Sequence, residues 1–248
     1  MNLEDFIPMP DMEKCESILC IQPHPDDNEI GAGATIAKLA AKGCKITYLT
    51  VTDGAIGSLD PDEKPDDTAR KRKIEAEQAA HILGVSSTLF LNYPDAAFLN
   101  EKSLCLDITG IIRKVKPEFV MTVDPFLMYE FHPDHRSVGL AAAQACMFSQ
   151  FPNFAPDSGD DTWAVKGIAF YCTSHPNTFI NVDGTWDLKL KAIGAHASQF
   201  GGEYLEGLKY YFDFKARQYA ENREFGRAEA FKVLTTTHLH MNVDTVNS

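Results

Sequence analysis

The sequence predicts an α/β fold, a mostly parallel, doubly wound sheet with helices on both faces. Three observations carry that prediction. Short apolar runs alternate with helix-patterned segments from Ser17 to Phe148. Those runs, such as "SILCIQ" and "EFVMTV", read as buried strands. Four polar turns, at His24, Asp53, Asp95 and His132, each follow a strand-like run, which places them on one edge of the sheet, where sites of such folds gather.

The elements follow in order. "SILCIQ" is a strand that leads into the "HPDD" turn, and Ile30 to Ala41 is patterned as a helix. "KITYLTV" is a second strand ending in "TDGAIGSLDPDEKPDD", a long loop that is acidic from Asp60 to Asp67 and suits function more than packing. "TARKRKIEAEQAAHILGV" is a helix with Gly84 near its C-terminal cap, and "STLFLNYP" a third strand. Ser103 to Val115 is helical, "EFVMTVDP" is a fourth strand, and "HPDHRSVGLAAAQACMF" opens another helix with Pro133 in its first turn. Beyond Gln150 the pattern loosens. "GIAFYCTSHPNTFINVD" reads as one or two strands and "WDLKLKAIGAHASQF" as a helix. From Gly201 the chain is helical and aromatic through "YYFDFKARQYA", and "AEAFKVL" follows without an assignment. The whole, 1–248, is expected to be one domain with a C-terminal subregion from about residue 150.

Composition limits the function. With 248 residues, 44% hydrophobic and 23% charged, the chain has the make-up of a soluble globule. A formal net charge of -12 argues against nucleic acid or an anionic membrane as partner and leaves a small molecule. No run approaches the ~20 apolar residues of a membrane span. "MNLEDFIPMPDMEKCES" lacks the basic and apolar regions of a secretory signal. The six cysteines form no CxxC pair, so buried thiols and a cytoplasmic location are expected.

"IQPHPDDNEIGAGAT" admits three readings. As a dinucleotide-binding turn it offers Gly31, Gly33 and, roughly 20 residues on, Asp53 as a ribose-binding acid. Against this, Ile36 stands where the third glycine belongs, and Asp26 and Asp27 would repel a pyrophosphate. As a helix cap, Asp26, Asp27 or Asn28 would contribute ~0.3–2 kcal/mol, which needs one acid and leaves His24 unused. As a metal site the turn supplies His24 and one carboxylate as ligands, with the neighbouring carboxylate free to act as a base. On this stretch alone, cap and metal site both stand.

"FHPDHRS" favours the metal. It sets His132 and His135 three apart at a helix start, with Asp134 between them, so both imidazoles meet one turn. Three protein ligands plus an open position is the pattern of catalytic zinc. Spacing does not say which of the two histidines is the ligand. Among the other histidines, His81 reads as structural, and His175, His238 and His240 lack clear partners.

Here the residues resemble a family. "PHPDDNEIGAGATIAKLA", "RKIEAEQAAHILGV", "FLNYPDA", "IIRKVKPEFVMTVDPFLMYEFHPDHRSVG", "KLKAIGAHASQF" and "AEAF" together are similar, in order and over most of the chain, to the zinc-dependent PIG-L/LmbE-like deacetylases of N-acetylglucosamine-type sugars. The resemblance implies a Rossmann-like fold and a Zn2+ held by His24, Asp27 and His135. It makes Asp26 the general base and later the acid. His132 would stabilise the oxyanion as an imidazolium favoured and oriented by Asp134. Arg72 and Asp95 match positions that hold the sugar, and His196 fits the pattern as a pocket or packing residue. Two departures stand out. Asn28 intervenes before Glu29, where the commonest motif has Glu directly after the second Asp. Phe131 precedes His132 where a tyrosine is frequent, Tyr129 being the nearest. Substrates implied are N-acetylglucosaminyl conjugates, chitobiose-type disaccharides and thiol-sugar precursors, and homo-oligomers are frequent in such families.

Two other classes compete: a nicotinamide-dependent oxidoreductase on Gly31, Gly33 and Asp53, and a non-catalytic metal-containing sugar-binding or scaffold protein. Retention of Asp26 with His132, Asp134 and His135 argues against the second.

Overall fold

The computed structural model describes residues 7–158 and 160–240. The part of the leader reading that falls on residues 1–6, and the outer ends of the 1–248 domain, lie outside the described residues.

Seven strands form a sheet in the order β3-β2-β1-β4-β5-β7-β6. They are β1 (Ser17–Gln22), β2 (Lys45–Thr52), β3 (Ser87–Tyr93), β4 (Phe119–Val123), β5 (Gly167–Tyr171), β6 (Thr178–Asn181) and β7 (Ala228–Leu234). Among the described residues six α-helices pack on them: α1 (Asp27–Ala41), α2 (Pro65–Leu83), α3 (Glu101–Val115), α4 (Pro133–Phe148), α5 (Trp186–Ala195) and α6 (Gly202–Tyr219). β1 to β5 pair in parallel, as the alternation of strand and helix predicts. The predicted α/β, Rossmann-like class with helices on both faces is the observed one.

Each central strand feeds two cores, because successive side chains point to opposite faces. Ile18 and Cys20 of β1 join Ile46 and Tyr48 of β2 and the apolar stripes of α1 and α2 in one core. Leu19 and Ile21 join Leu49, Val51, Ile108 of α3 and Val138 of α4 in the other. A strand buried on both sides cannot alternate polar with apolar, which is why "SILCIQ" reads as a continuous run. α2 ends on Gly84 at φ +78, a left-handed cap that favours glycine.

β7 is the element local pattern did not assign. All seven residues of "AEAFKVL" are buried, yet two of them are Glu229 and Lys232. It enters antiparallel between β5 and β6. Glu229 is accommodated because Lys189 of α5 reaches it at 2.5 Å and the N–H groups of Ala34 and Thr35 in α1 donate to its two oxygens.

β1 lies between β2 and β4, so chain order reverses beside it. The turns after β1 and β4 therefore flank the switch point, where open α/β sheets place their ligands.

Candidate active site and metal centre

The turn after β1 is shaped by its own polar groups. The His24 backbone N–H donates to Asp27 Oδ2 at 2.8 Å, and the Asn28 N–H to Gln22 Oε1 at 2.9 Å. α1 consequently starts at Asp27, three residues before the apolar pattern begins. Asp26, at φ 149 and ψ -19, has a backbone conformation that L-residues rarely adopt and that persists only where its surroundings over-determine it. This bend sends two adjacent carboxylates different ways. Asp26 Oδ2 meets Arg72 Nη2 of α2 at 3.1 Å, while Asp27 faces the histidines.

Asp27 presents one oxygen to each imidazole. Oδ2 lies 3.3 Å from His24 Nδ1, and Oδ1 lies 3.3 Å from His135 Nε2. Ligand atoms of His24, Asp27 and His135 all fall within 4.8 Å of one another. The far nitrogen of each imidazole is held by carboxylate. His24 Nε2 contacts Asp95 Oδ1 at 3.2 Å and Asp134 Oδ2 at 3.3 Å, and His135 Nδ1 contacts Glu130 Oε2 at 3.1 Å. Metal-ligating histidines are commonly oriented in this way. Two imidazoles and a carboxylate with that backing fit a borderline divalent ion such as zinc.

The electrostatics are those of charges drawn together in a partly dry site. Burial works against the His24 imidazolium, but Asp134, Asp27 and Asp95 outweigh it and push its pKa up to about 12. Burial would raise Asp27, yet His135 and His24 hold its carboxyl well below the usual range. Asp26 goes the other way. Burial and the Asp27 charge lift it to about 7, against the pull of Arg72, His196 and His24. Neighbouring carboxylates with opposed environments can divide ligand and base duties between them.

His132 caps α4, its Nδ1 accepting the Asp134 N–H at 3.4 Å. A nitrogen that accepts leaves the ring proton on Nε2. The Asp134 charge favours a His132 imidazolium, but other groups outweigh it. The Asp134 carboxylate turns to His24 and to the Ala96 N–H at 2.8 Å, and burial, His24 and His135 lower the His132 pKa despite the opposing charges of Asp134 and Asp95.

Arg72 and Asp95 face the site's own residues. Arg72 donates to Gly54 O at 3.0 Å and Pro25 O at 3.3 Å as well as to Asp26, and Asp95 accepts the Ile56 N–H at 3.3 Å while contacting His24. Any hold on a sugar would add to these bonds. His196 is packed, at 0% exposure and 3.4 Å from the equally buried Glu29. Asp53 shapes its turn by accepting the Ala55 and Asp95 N–H groups. In the acidic loop, Glu63 pairs with Lys71 and Ser58. Tyr129 and Phe131 are both more than four-fifths exposed.

The glycines of the opening motif serve packing. A Cβ on Gly31 would lie 2.1 Å from Cδ2 of buried Tyr171, and one on Gly33 would lie 3.2 Å from Cγ of Lys189. Neither is spared a side chain for the sake of a phosphate.

Comparison with known proteins decides the family. The profile for PIG-L, GlcNAc-PI de-N-acetylase, matches residues 19–146. The diacetylchitobiose deacetylase of Thermococcus kodakarensis is 34% identical over 237 residues, covering 94% of this chain and 88% of the relative. The chain belongs to the PIG-L family. Among solved structures, the N,N'-diacetylchitobiose deacetylase from Pyrococcus horikoshii, complexed with its inhibitor MPG, matches with a TM-score of 0.92 and 34% identity over 98% of this chain and 94% of that one. A more distant member, the 1D-myo-inositol 2-acetamido-2-deoxy-alpha-D-glucopyranoside deacetylase of Kineococcus radiotolerans, is 29% identical over 63% of this chain and 52% of its own length. No helix among the described residues of this PIG-L chain is long and apolar enough to cross a membrane.

Sequence pattern missed Glu130. It holds His135 by Oε2, and its Oε1 accepts the His132 N–H at 2.8 Å. The available signal was an acid two residues before "HPDH", inside a loop of exposed apolar side chains.

Proposed function

We propose that this PIG-L family member is a zinc-dependent hydrolase that removes the N-acetyl group from an N-acetylglucosamine conjugate. Its relatives carry deacetylase names, and N,N'-diacetylchitobiose is the first substrate to test. The relative named for it matches across nearly the whole of both chains, whereas the inositol-conjugate deacetylase matches about half of its own length. The observation that carries the chemistry is the split of the Asp26–Asp27 pair, one carboxylate against two imidazoles and the other buried beside Arg72.

His24, Asp27 and His135 would hold the zinc, with Asp95, Asp134 and Glu130 fixing the two rings. When bound, zinc supplies Lewis acidity toward the acetamide carbonyl and brings the pKa of water toward about 7, against 15.7 in bulk. Asp26 accepts a proton from the attacking water and returns it to the departing amine, a role suited to a carboxylate lifted toward neutrality. Arg72 fixes the Asp26 carboxylate and balances its charge. His132 donates its Nε2–H to the carbonyl oxygen as negative charge develops there. The buried free thiols Cys15, Cys20, Cys44, Cys105 and Cys146 suit a reducing compartment, the cytoplasm.

The test is metal analysis of the purified protein with acetate release from N,N'-diacetylchitobiose and other N-acetylglucosaminides. Chelation abolishes release, and one zinc per chain restores it. Full turnover in the chelated protein, or no acetate from any N-acetylglucosaminide, overturns the proposal. Binding of reduced nicotinamide without metal would favour the oxidoreductase.

A further inference from the structure

Cys15 and Cys44 meet at the opposite end of the strands from the candidate site. Cys15 stands two residues before β1 and Cys44 directly before β2. These strands pair in parallel from Ser17 and Lys45 onward, so the residues ahead of them are neighbours. The two sulfurs lie 3.5 Å apart, although the residues are 29 positions apart in the chain. Among the described residues no other pair of thiols is in such contact.

The surrounding chain holds the pair in place. The Lys45 N–H donates to Glu16 O at 2.8 Å, the Cys15 N–H to Met12 O at 3.3 Å and the Cys44 N–H to Leu39 O at 3.1 Å. Glu13 Oε1 pairs with Lys38 Nζ at 2.6 Å and Lys42 Nζ at 3.0 Å, which fastens the turn before Cys15 to the end of α1. Neighbouring strands run about 4.8 Å apart. A disulfide spans roughly 4.4–6.8 Å between Cα atoms, so closure of the sulfurs to about 2.05 Å falls to the side chains.

Both thiols are within reach of a small oxidant, and they are unequal. Cys15 is 8% exposed and Cys44 7%, against 0% for Cys20 in the same core. Cys15 donates its S–H to the Cys44 sulfur and so holds the Cys44 thiol below its ordinary value, while the same contact and burial raise Cys15. The thiolate is the attacking form, so Cys44 reacts first.

We infer that Cys15 and Cys44 are a reversible oxidation site for hydrogen peroxide, and that their disulfide staples the β1–α1 unit bearing His24, Asp26 and Asp27. The Cys44 thiolate attacks one peroxide oxygen, so that an S–O bond forms, the O–O bond breaks and hydroxide leaves. The Cys15 sulfur gives up its proton and attacks the Cys44 sulfur, the S–O bond breaks and a second hydroxide leaves. With the two thiol protons, the products are one disulfide and two waters; the sulfurs lose the two electrons that the peroxide gains. In a reducing compartment the pair rests as thiols, and peroxide closes it. The closed loop contains all of β1 and α1, so the cross-link restricts the unfolded chain and opposes loss of that unit.

The full chain is treated with hydrogen peroxide, unfolded, alkylated and mapped as peptides. In the wild type a peptide pair joined through Cys15 and Cys44 appears, lighter by two hydrogens than the sum of its parts, while Cys20, Cys105 and Cys146 are alkylated. The oxidised protein melts roughly 5–10 °C above the reduced one, the gain expected for a loop and chain of this size, and a dithiol reductant reverses both changes. Cys15→Ser and Cys44→Ser each abolish the bond and the shift, whereas Cys172→Ser keeps both. If a serine variant fails to fold, mapping and melting of the wild type still decide. Two thiols that stay open to alkylation, over-oxidation of Cys44 without a cross-link, or a cross-linked chain that melts no higher overturns the inference. Each of these results leaves the proposed function standing.

Discussion

Glu130 Oε2 lies 3.1 Å from His135 Nδ1, on the side of the ring opposite Asp27. Five residues apart in sequence, the two meet because the loop after β4 folds back, with Glu130 Oε1 receiving the His132 N–H. With the Nδ1 proton held by Glu130, Nε2 would keep its lone pair for a metal ion seated between the ring and Asp27. Glu130→Gln should therefore weaken zinc affinity about 10–100-fold. Competition against a chromogenic chelator measures it, and an unchanged affinity would remove Glu130 from that role.

Arg72 sets the protonation of Asp26. As the proposed base, Asp26 would accept a proton only when ionised, so turnover should fall as pH drops through its pKa. Burial and Asp27 raise that pKa to about 7, and the guanidinium at 3.1 Å opposes them. Arg72→Gln removes the opposing charge, and the acidic limb of the pH–kcat profile should move upward by about one pH unit or more. Turnover lost at neutral pH should be largely recovered in alkaline buffer. A limb that stays in place, or moves down, would show that Arg72 acts elsewhere.

The proposed function gives His132 and His135 different roles. His132→Ala should lower kcat by roughly 10²–10³ through loss of a donor to the developing oxyanion, with one zinc per chain retained. Loss of the tight zinc in this variant would move the ligand assignment from His135 to His132.

These contrasts mark where sequence suffices. The strands were legible because apolar runs such as Ile18–Ile21 feed both cores, and the site's location because the polar turns follow them. What escaped depends on distant partners. Asp134 reads as the companion of its neighbour His132, but its carboxylate partners are His24, 110 positions away, and the Ala96 N–H. β7 lacked a signal because Glu229 and Lys232 look exposed until Lys189 and the N–H groups of α1 meet the carboxylate. Glu130 is a loop acid until the loop closes on His135.

Gly31 tests the remaining alternative. A glycine that lets a dinucleotide phosphate approach matters to ligand binding and little to the stability of the free chain. Here its missing Cβ makes room for Tyr171, whose Cγ would lie 2.6 Å away and which is buried at 1% exposure, so the ring has nowhere to go. Gly31→Ala should cost roughly 1–3 kcal/mol through overpacking, more than the gain in helix propensity returns. Gly33→Ala should cost less, since its Cβ would meet Lys189 Cγ at 3.2 Å. Denaturant melts of the two variants decide it: a Gly31→Ala protein as stable as wild type would mean that packing does not explain the motif, and would reopen the phosphate reading.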